Sequence, residues 1–303
     1  MQLVVWKDQP IEAPCAVSDM PMPAYHRADV CKGAVSVSSS FLRDLIRFSP
    51  AHAYHRSPFN PDRPETDETE AMALGSFIHA AITGKPFKDE FALCPPDYNA
   101  RTKIGQKWKA DQIAAGKTII TPTMARHAKG MIISLGNFPL VKGGMLTGLS
   151  EIAMFWRDRR GFIKKAKPDM VPNDSGDFVD LKTTSSVLYR DLQRSIVDFG
   201  YHQQAAMVME GARALGIPAN SFTLLWVENK PPYCVRATTF KDEDLARGQQ
   251  LNDMAADIFW QCHQSGNWPG PGDDRPDAEY IDLPEWSRKS IDDRVKYQLR
   301  EAA

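Results

Sequence analysis

The chain of 303 residues lacks several features that mark common classes of protein. No apolar run approaches the roughly 18 residues of a membrane-spanning helix. The N-terminal stretch MQLVVWKDQPIEAP has no basic start followed by an apolar segment and a small-residue cleavage site, so it does not predict a secretory signal. We therefore expect a cytoplasmic protein with no membrane partner.

The chain also has few cysteines and a net charge close to zero. The five cysteines are scattered and never spaced C-x-x-C, which predicts reduced thiols and argues against a zinc ribbon or a cysteine-held iron–sulfur cluster. The formal net charge is −1, so any surface that binds nucleic acid has to be a local patch.

The chain has the composition of an ordinary globular protein, with 43% hydrophobic and 25% charged residues. Residues 1–35 are interrupted by proline and weakly patterned, which predicts an irregular N-terminal arm. Residues 36–290 carry helical and strand periods in alternation and predict one α/β domain, with a central sheet flanked by helices. Residues 291–303 are assigned to a C-terminal tail.

Hydrophobic periodicity places the main elements. The stretch SSSFLRDLIRFSP predicts a helix that begins at the serines and ends at Ser49-Pro50, and AMALGSFIHAAITG predicts a second helix closed by Gly84. From Leu146 the period changes to two. The segments LTGLSEIAMFWRD, FIKKAKPDMVP and DFVDLKTT, joined by RRG and NDSG, predict a three-stranded antiparallel meander.

Charged side chains interrupt the third strand of this meander. Asp180 and Lys182 are two residues apart and would face the same side of the strand. A hairpin through NDSG would bring Asp169 beside Asp180, and paired carboxylates suit Mg²⁺ or Mn²⁺. An ammonium group has no lone pair for a metal, so Lys182 suits an anionic transition state or the attacking water instead.

This interpretation has a simpler alternative. Asp180 and Lys182 would also fit a partly buried ion pair with a structural role. A second acid-x-Lys pattern, Glu228-Asn229-Lys230, ends its strand at a Pro-Pro turn and has no Pro-Asp pair on a preceding hairpin strand. Position therefore distinguishes the two patterns.

Polar residues on neighbouring segments extend the candidate site. His79 lies one helical turn after Gly75, which would let that face approach another backbone closely. Glu151 interrupts a mainly apolar strand, and Tyr201 and Gln204 share a helix face. The alternatives are a helix histidine without a ligand, a solvent-facing strand position and an ordinary amphipathic helix.

The order of these residues is similar to a known family. His79, Glu151, Pro168-Asp169, Asp180-Leu181-Lys182 and Tyr201-x-x-Gln204 together resemble the PD-(D/E)XK nucleases of the RecB-like branch, and more narrowly the nuclease domain of RecE-type exonucleases (exodeoxyribonuclease VIII). The resemblance covers most of residues 36–290. It implies a restriction-endonuclease-like core built on a mixed sheet.

The resemblance also implies roles. It places Mg²⁺, with Mn²⁺ as a substitute, on four groups: His79, Asp169, Asp180 and the main-chain carbonyl of Leu181. Lys182 would orient the attacking water, Glu151 would be an auxiliary acid, and Tyr201 and Gln204 would fix the geometry of the site and the DNA. Relatives often carry Gln-x-x-x-Tyr on this helix, whereas the last position here is Val208.

RecE-like enzymes degrade one strand of linear duplex DNA from its 5′ end and leave a 3′ single-stranded tail. The resemblance therefore implies a bacterial or phage-encoded exonuclease that acts in recombination, as a homo-oligomeric ring with a single-strand annealing protein as partner. The alternatives are a related nuclease with single-strand or structure-specific endonuclease activity, and an inactive DNA-binding module.

Two groups of residues are candidates for binding DNA. Ser38, Ser40 and Arg43 at the start of the first helix would hold the 5′ phosphate, unless they form only an N-cap and a surface arginine. Residues 157–167 carry six basic side chains, Arg160, Lys164 and Lys165 among them, and predict a stripe that contacts phosphates. A solvated hairpin tip is the alternative.

Overall fold

The structure is a computed structural model that describes residues 3–64, 69–84, 90–273 and 275–301, without the side chains of residues 299–301. It divides into two compact units, Met1–Trp268 and Pro269–Ala303. The second unit contains one helix, and the remaining elements lie in the first.

Short strands and longer helices alternate along the chain. The strands are β1 (Leu3–Val5), β2 (Cys15–Ser18), β3 (Ser36–Ser38), β4 (Phe91–Leu93), β5 (Thr118–Ile120), β6 (Gly148–Ser150), β7 (Ala153–Arg157), β8 (Ile163–Ala166), β9 (Met170–Pro172), β10 (Asp177–Thr184), β11 (Ser221–Glu228) and β12 (Val235–Thr239). The helices are α1 (Met22–Tyr25), α2 (Ser39–Arg47), α3 (Pro50–His55), α4 (Glu70–Thr83), α5 (Lys103–Ala114), α6 (Pro122–Asn137), α7 (Pro139–Lys142), α8 (Tyr189–Phe199), α9 (Tyr201–Ala214), α10 (Asp242–Ser265) and α11 (Glu285–Glu301).

The strands form two larger sheets and one small one. Their orders are β1-β2-β7-β8-β3, β12-β11-β10-β9-β6 and β4-β5. In the second sheet β10 pairs in parallel with β11 and antiparallel with β9. The expected mixed α/β architecture is therefore confirmed.

The predicted meander differs in one respect that positions the site. The first two of its strands each break in the middle, into β6 and β7 and into β8 and β9, and the halves belong to different sheets. The breaks face each other: Glu151 has a positive φ of 50°, and its amide donates to the carbonyl of Asp169 at 3.0 Å. The hairpin therefore turns from one sheet to the other at these two acids.

The expected irregular arm over residues 1–35 is wrong in part. β1 pairs in parallel with β2, and β2 pairs antiparallel with β7. Cys15, Ala16 and Val17 are buried, so this strand fills core space that the sheet would otherwise expose. Three- and four-residue strands between prolines are too short for a period to be visible.

The expected C-terminal boundary also differs from the structure. The first compact unit ends at Trp268, and α11 runs through position 290 without interruption. None of the helices within the described ranges is both long and apolar enough to cross a bilayer.

Strand β10 separates two hydrophobic cores. Phe178 belongs to a cluster that includes α2, α9 and α10 residues, whereas Val179 and Leu181 belong to a cluster formed with α4 and α6. Burying each of these side chains contributes about 1.5–3 kcal/mol. The alternation directs Asp180 and Lys182 to the same side as Phe178, and the apolar neighbours keep the strand in this register.

Candidate active site

The site forms where β9 begins beside β10. The two strands pair at Val179 and Met170, the first residue of β9, and Asp169 directly before it lies outside this ladder. Here the carboxylate of Asp169 replaces a backbone partner for β10, because its Oδ2 accepts a hydrogen bond from the Leu181 amide at 2.7 Å. A side chain therefore completes the edge of the sheet.

His79 reaches the same carboxylate from α4. Its Nδ1 lies 3.0 Å from Asp169 Oδ1, and the helix is fixed at its start by Thr69, whose hydroxyl accepts the Met72 amide. A Cβ added at Gly75 would make an ordinary 3.8 Å contact with Thr183 Oγ1. The close approach to another backbone that was expected at Gly75 is therefore not seen, since the atom nearest to such a Cβ belongs to a side chain.

Asp180 is 1% exposed and has two unlike oxygen atoms. Oδ1 accepts a hydrogen bond from Gln204 Nε2 of α9 at 2.9 Å. Oδ2 lies 2.5 Å from Lys182 Nζ, yet among the described residues it accepts no hydrogen bond of regular geometry. We regard the Lys182 contact as an ion pair that leaves lone pairs of Oδ2 available.

Lys182 lies between Asp180 and an aromatic ring. Its Nζ is 4.7 Å from the centre of the Tyr201 ring, within the range of a cation–π contact. Tyr201 packs edge-on against Trp226. The ammonium group therefore has a fixed position beside the carboxylate.

The charges of the site shift one another's protonation. Burial disfavours the ionised form of each group, but the neighbouring carboxylates outweigh this effect at His79 and Lys182, whose pKa values are raised. Burial also opposes ionisation of Asp169, but His79 and Lys182 hold its pKa below the usual value. Burial and the charge of Asp169 raise the pKa of Asp180.

Glu151 joins this group through its backbone. Besides the amide contact to Asp169, its carboxylate lies 3.0 Å from Lys167 Nζ. Lys167 also donates to the carbonyl of Met20. The structure therefore places Glu151 next to the site and in an ion pair, not at a solvent-facing strand position.

The predicted stripe of basic residues is contradicted by burial. Lys164 is 1% exposed and pairs with Asp158 and Glu210 at 3.0 Å, and Arg160 pairs with Asp158 at 3.0 Å. Lys165 is 2% exposed. Strand β8 is buried on both faces, so its two lysines point into opposite cores and do not form one solvent-facing row.

Lys165 instead lines a cavity of about 160 Å³ together with Ser38 and Ser40. Its Nζ donates to the carbonyl of Arg27 at 2.7 Å and to Ser36 Oγ at 2.9 Å. Burial lowers the pKa of Lys165 to about 7. The sequence pattern did not indicate three basic residues that line the same cavity: His26, Arg56 and Arg63.

Arg43 has a different position from the one expected. Its Nη1 donates to the carbonyl of Phe199 at 3.0 Å, and its side chain packs where a Cβ at Gly200 would stand. Arg43 does not line the cavity with Ser38 and Ser40, although it pairs at 3.0 Å with Asp44, which does. Its bond to Phe199 joins α2 to the end of α8.

The residues at the β9–β10 junction fit a hard divalent cation. His79 Nδ1 and Asp169 Oδ1 are 3.0 Å apart, a separation that suits their direct ion pair and equally two ligands at 2.0–2.1 Å in neighbouring octahedral positions. In the described part of the chain no three His, Cys, Asp or Glu side chains are already arranged around one point. Asp180 is turned towards Lys182 and Gln204, so its Oδ2 is the further oxygen that would have to engage the ion.

Fold and site together define a PD-(D/E)XK-like protein. The family model described as "PDDEXK-like domain of unknown function (DUF3799)" matches residues 38–282, and the chain belongs to this family. None of the curated proteins matches the sequence.

Solved structures support the same fold. The chain is similar to a proposed exonuclease from Eubacterium rectale, with a TM-score of 0.60, 14% identity and coverage of 88% of this chain and 96% of the other. It also matches a phage-related exonuclease from Haemophilus somnus 129PT at 12% identity, covering 77% of this chain and 96% of the other. The second superposition has a TM-score of 0.36 and adds nothing to the assignment.

Proposed function

We propose that this protein is a Mg²⁺-dependent exonuclease that degrades linear double-stranded DNA from the 5′ end and leaves 3′ single-stranded tails. Mn²⁺ substitutes for Mg²⁺. The tails serve recombination by strand annealing in a bacterial or phage setting. The proposal takes its reaction class from the site and its polarity from the resemblance to RecE-type nucleases.

One observation carries the proposal. A buried acid, Asp180, keeps an oxygen atom without a regular hydrogen bond while a lysine lies 2.5 Å away. An ionised carboxylate oxygen has more than one acceptor site, so Oδ2, which the ion pair with Lys182 occupies only in part, can also accept from a ligand. His79 Nδ1 and Asp169 Oδ1 supply further atoms that could bind a metal ion.

The residues of the chain prepare the reaction. Asp169 is fixed by the Leu181 amide, and Gln204 fixes Asp180, so both carboxylates hold defined orientations. Lys182 Nζ donates hydrogen bonds to the attacking water and to a phosphate oxygen, which stabilises the negative charge that develops in the transition state. A bound Mg²⁺ would supply Lewis-acid polarisation of the phosphate, held by His79, Asp169, Asp180 and the Leu181 carbonyl.

The cavity beside α2 supports action at a DNA end. Ser38 and Ser40 contribute hydroxyl groups, and Lys165 contributes a buried amine without a carboxylate among its hydrogen-bond partners. These groups suit a terminal phosphate, which carries more charge than a phosphodiester.

Glu151 supports the geometry of Asp169 from the facing break in the hairpin.

The test is digestion of a linear duplex labelled at either end, with a closed circle of the same sequence as control. We expect the 5′-terminated strand to shorten in Mg²⁺ and the circle to remain intact. Cutting of the circle would assign a structure-specific or other endonuclease. A protein that binds DNA but stays inert in Mg²⁺ and Mn²⁺ would be a binding module.

A ring of identical chains and an annealing partner complete the proposal. A ring would enclose the duplex and prevent release between cuts. Light scattering on the purified protein measures the number of chains, and co-purification with the annealing protein from the same genome tests the partner. A monomer that digests DNA distributively would contradict the ring.

A further inference from the structure

An exposed aromatic side chain lies next to the candidate catalytic lysine. Phe199, the last residue of α8, is 50% exposed. Its ring stacks on Tyr201 with 5.6 Å between ring centres and an angle of 28°. Tyr201 in turn covers Lys182. The two rings therefore form a continuous path from the site to the surface.

The backbone of Phe199 is held in place by two arginines of α2. Arg43 donates to the carbonyl of Phe199, and Arg47 donates to the carbonyl of Asp198. These are carbonyls of the last helical turn, where cations are favoured and the helix itself offers no donor. Gly200 then ends the helix with φ of 62°. The position of Phe199 is thus defined although its ring is exposed.

The surroundings of Phe199 suit a strand of nucleic acid. Arg47 is exposed beside it, and positive charge next to a free aromatic face is the combination that binds unpaired bases and their phosphates. Tyr201 occupies one face of the Phe199 ring, which leaves the other face for a flat partner.

We propose that Phe199 is a base-stacking residue that holds an unpaired nucleobase of the strand being cut, one ring away from Lys182. This inference rests on the proposed nuclease function. It adds a substrate contact that positions the strand, since stacking accepts any base and therefore suits an enzyme that cuts without regard to sequence.

The experiment compares three variants on defined DNA. Phe199→Ala removes the stacking face, Phe199→Trp restores it with a larger ring, and Tyr189→Ala is the control. Tyr189 is 61% exposed at the opposite end of α8, roughly 15 Å away at the helical rise per residue. The substrates are 5′-phosphorylated linear duplexes, intact or with one abasic nucleotide at each of the terminal positions in turn.

We expect Phe199→Ala to slow strand degradation by roughly five- to 150-fold, the range for removing one base–aromatic stack. An abasic nucleotide at the stacked position should slow the wild type by a similar factor and leave Phe199→Ala unaffected. Tyr189→Ala should behave as the wild type does, and Phe199→Trp should recover most of the rate that Phe199→Ala loses.

Two results would overturn the inference while the proposed function stands. In one, Phe199→Ala degrades intact DNA at the wild-type rate. In the other, Phe199→Ala is slow but loses activity on abasic DNA by the same factor as the wild type, which assigns Phe199 a structural role only. A wild type that leaves linear duplex intact would instead remove the proposed function.

Discussion

Lys164 and Lys182 lie on neighbouring sheets and both form ion pairs with carboxylates, but the two pairs have different surroundings. Lys164 is 1% exposed, and three carboxylate oxygens of Asp158 and Glu210 lie within 3.1 Å of its Nζ. The oxygens of Glu210 also accept from Trp156 and Gln249. Lys182 is as firmly held, but its partner Asp180 keeps one oxygen without a regular hydrogen bond. The two sites differ in the number of contacts made by the carboxylate oxygens: both oxygens of Glu210 accept from Lys164 and from a further donor, whereas Asp180 Oδ2 has the ion pair with Lys182.

The largest expected effect comes from Asp180→Asn. The change keeps the shape of the side chain but removes an oxygen of the proposed metal site, so we expect DNA degradation to fall by about 10³-fold or more, beyond the 10- to 100-fold typical of partners outside the ligand set. Rates are measured with excess Mg²⁺ on linear duplex, and circular dichroism checks the fold. Activity within tenfold of the wild type would show that Asp180 is not part of the reaction.

Substitution of the two lysines should affect different properties of the protein. Lys164→Met should lower stability, and Lys182→Met should lower the rate of DNA degradation. Lys164→Met removes the cation shared by Asp158 and Glu210, which leaves Glu210 with neutral donors only and Asp158 with Arg160, and breaking a buried pair costs about 3–5 kcal/mol. We expect this loss in the free energy of unfolding, measured with urea, while the folded fraction keeps its rate of DNA degradation.

Lys182→Met should act on the rate itself. We expect a fall of roughly 10²–10³-fold, as for removal of one donor to a developing oxyanion. DNA binding should be retained. If Lys182→Met chiefly abolished DNA affinity, Lys182 would be a binding residue.

Lys165 provides a smaller and pH-dependent effect. Burial lowers its pKa from 10.5 to about 7, so between these values the unfolded chain binds a proton that the folded chain does not. Stability from this group therefore rises with pH across that window and is lowest near pH 7 and below. Lys165→Met should lack this dependence.

Measurement of Tm against pH isolates the effect. The Tm of Lys165→Met minus that of the wild type should fall as the pH rises from 7 to 10, by an amount equivalent to a few kcal/mol at most. A difference that stays constant would mean that Lys165 is charged in the folded protein throughout.

Much of the site was predictable because it is local in sequence. The i and i+2 spacing of Asp180 and Lys182, anchored by Val179 and Leu181, determines which side chains share a strand face. The spacing of Tyr201 and Gln204 likewise predicts one helix face, although only Gln204 contacts the acid. His79 reaches Asp169 across the fold, and it was the order of motifs, not any spacing, that indicated this contact.

Other features depended on partners that no local pattern contains. Lys164 and Lys165 carry the same charge, yet the strand directs them towards opposite cores with different neighbours. The hairpin breaks at Glu151 and Asp169 because its two strands pass from one sheet to the other at these facing residues. Such features follow from tertiary packing, so Lys164 and Lys165 were assigned to the surface although they are buried.

The most direct test of the account is a calorimetric titration with Mg²⁺ or Mn²⁺ in the absence of DNA. We predict saturable binding by the wild type that Asp180→Asn and Asp169→Asn weaken strongly, while Lys164→Met, in the fully paired cluster, binds as the wild type does. Binding that is unchanged in both aspartate variants would contradict the account, because the cation would then be held elsewhere.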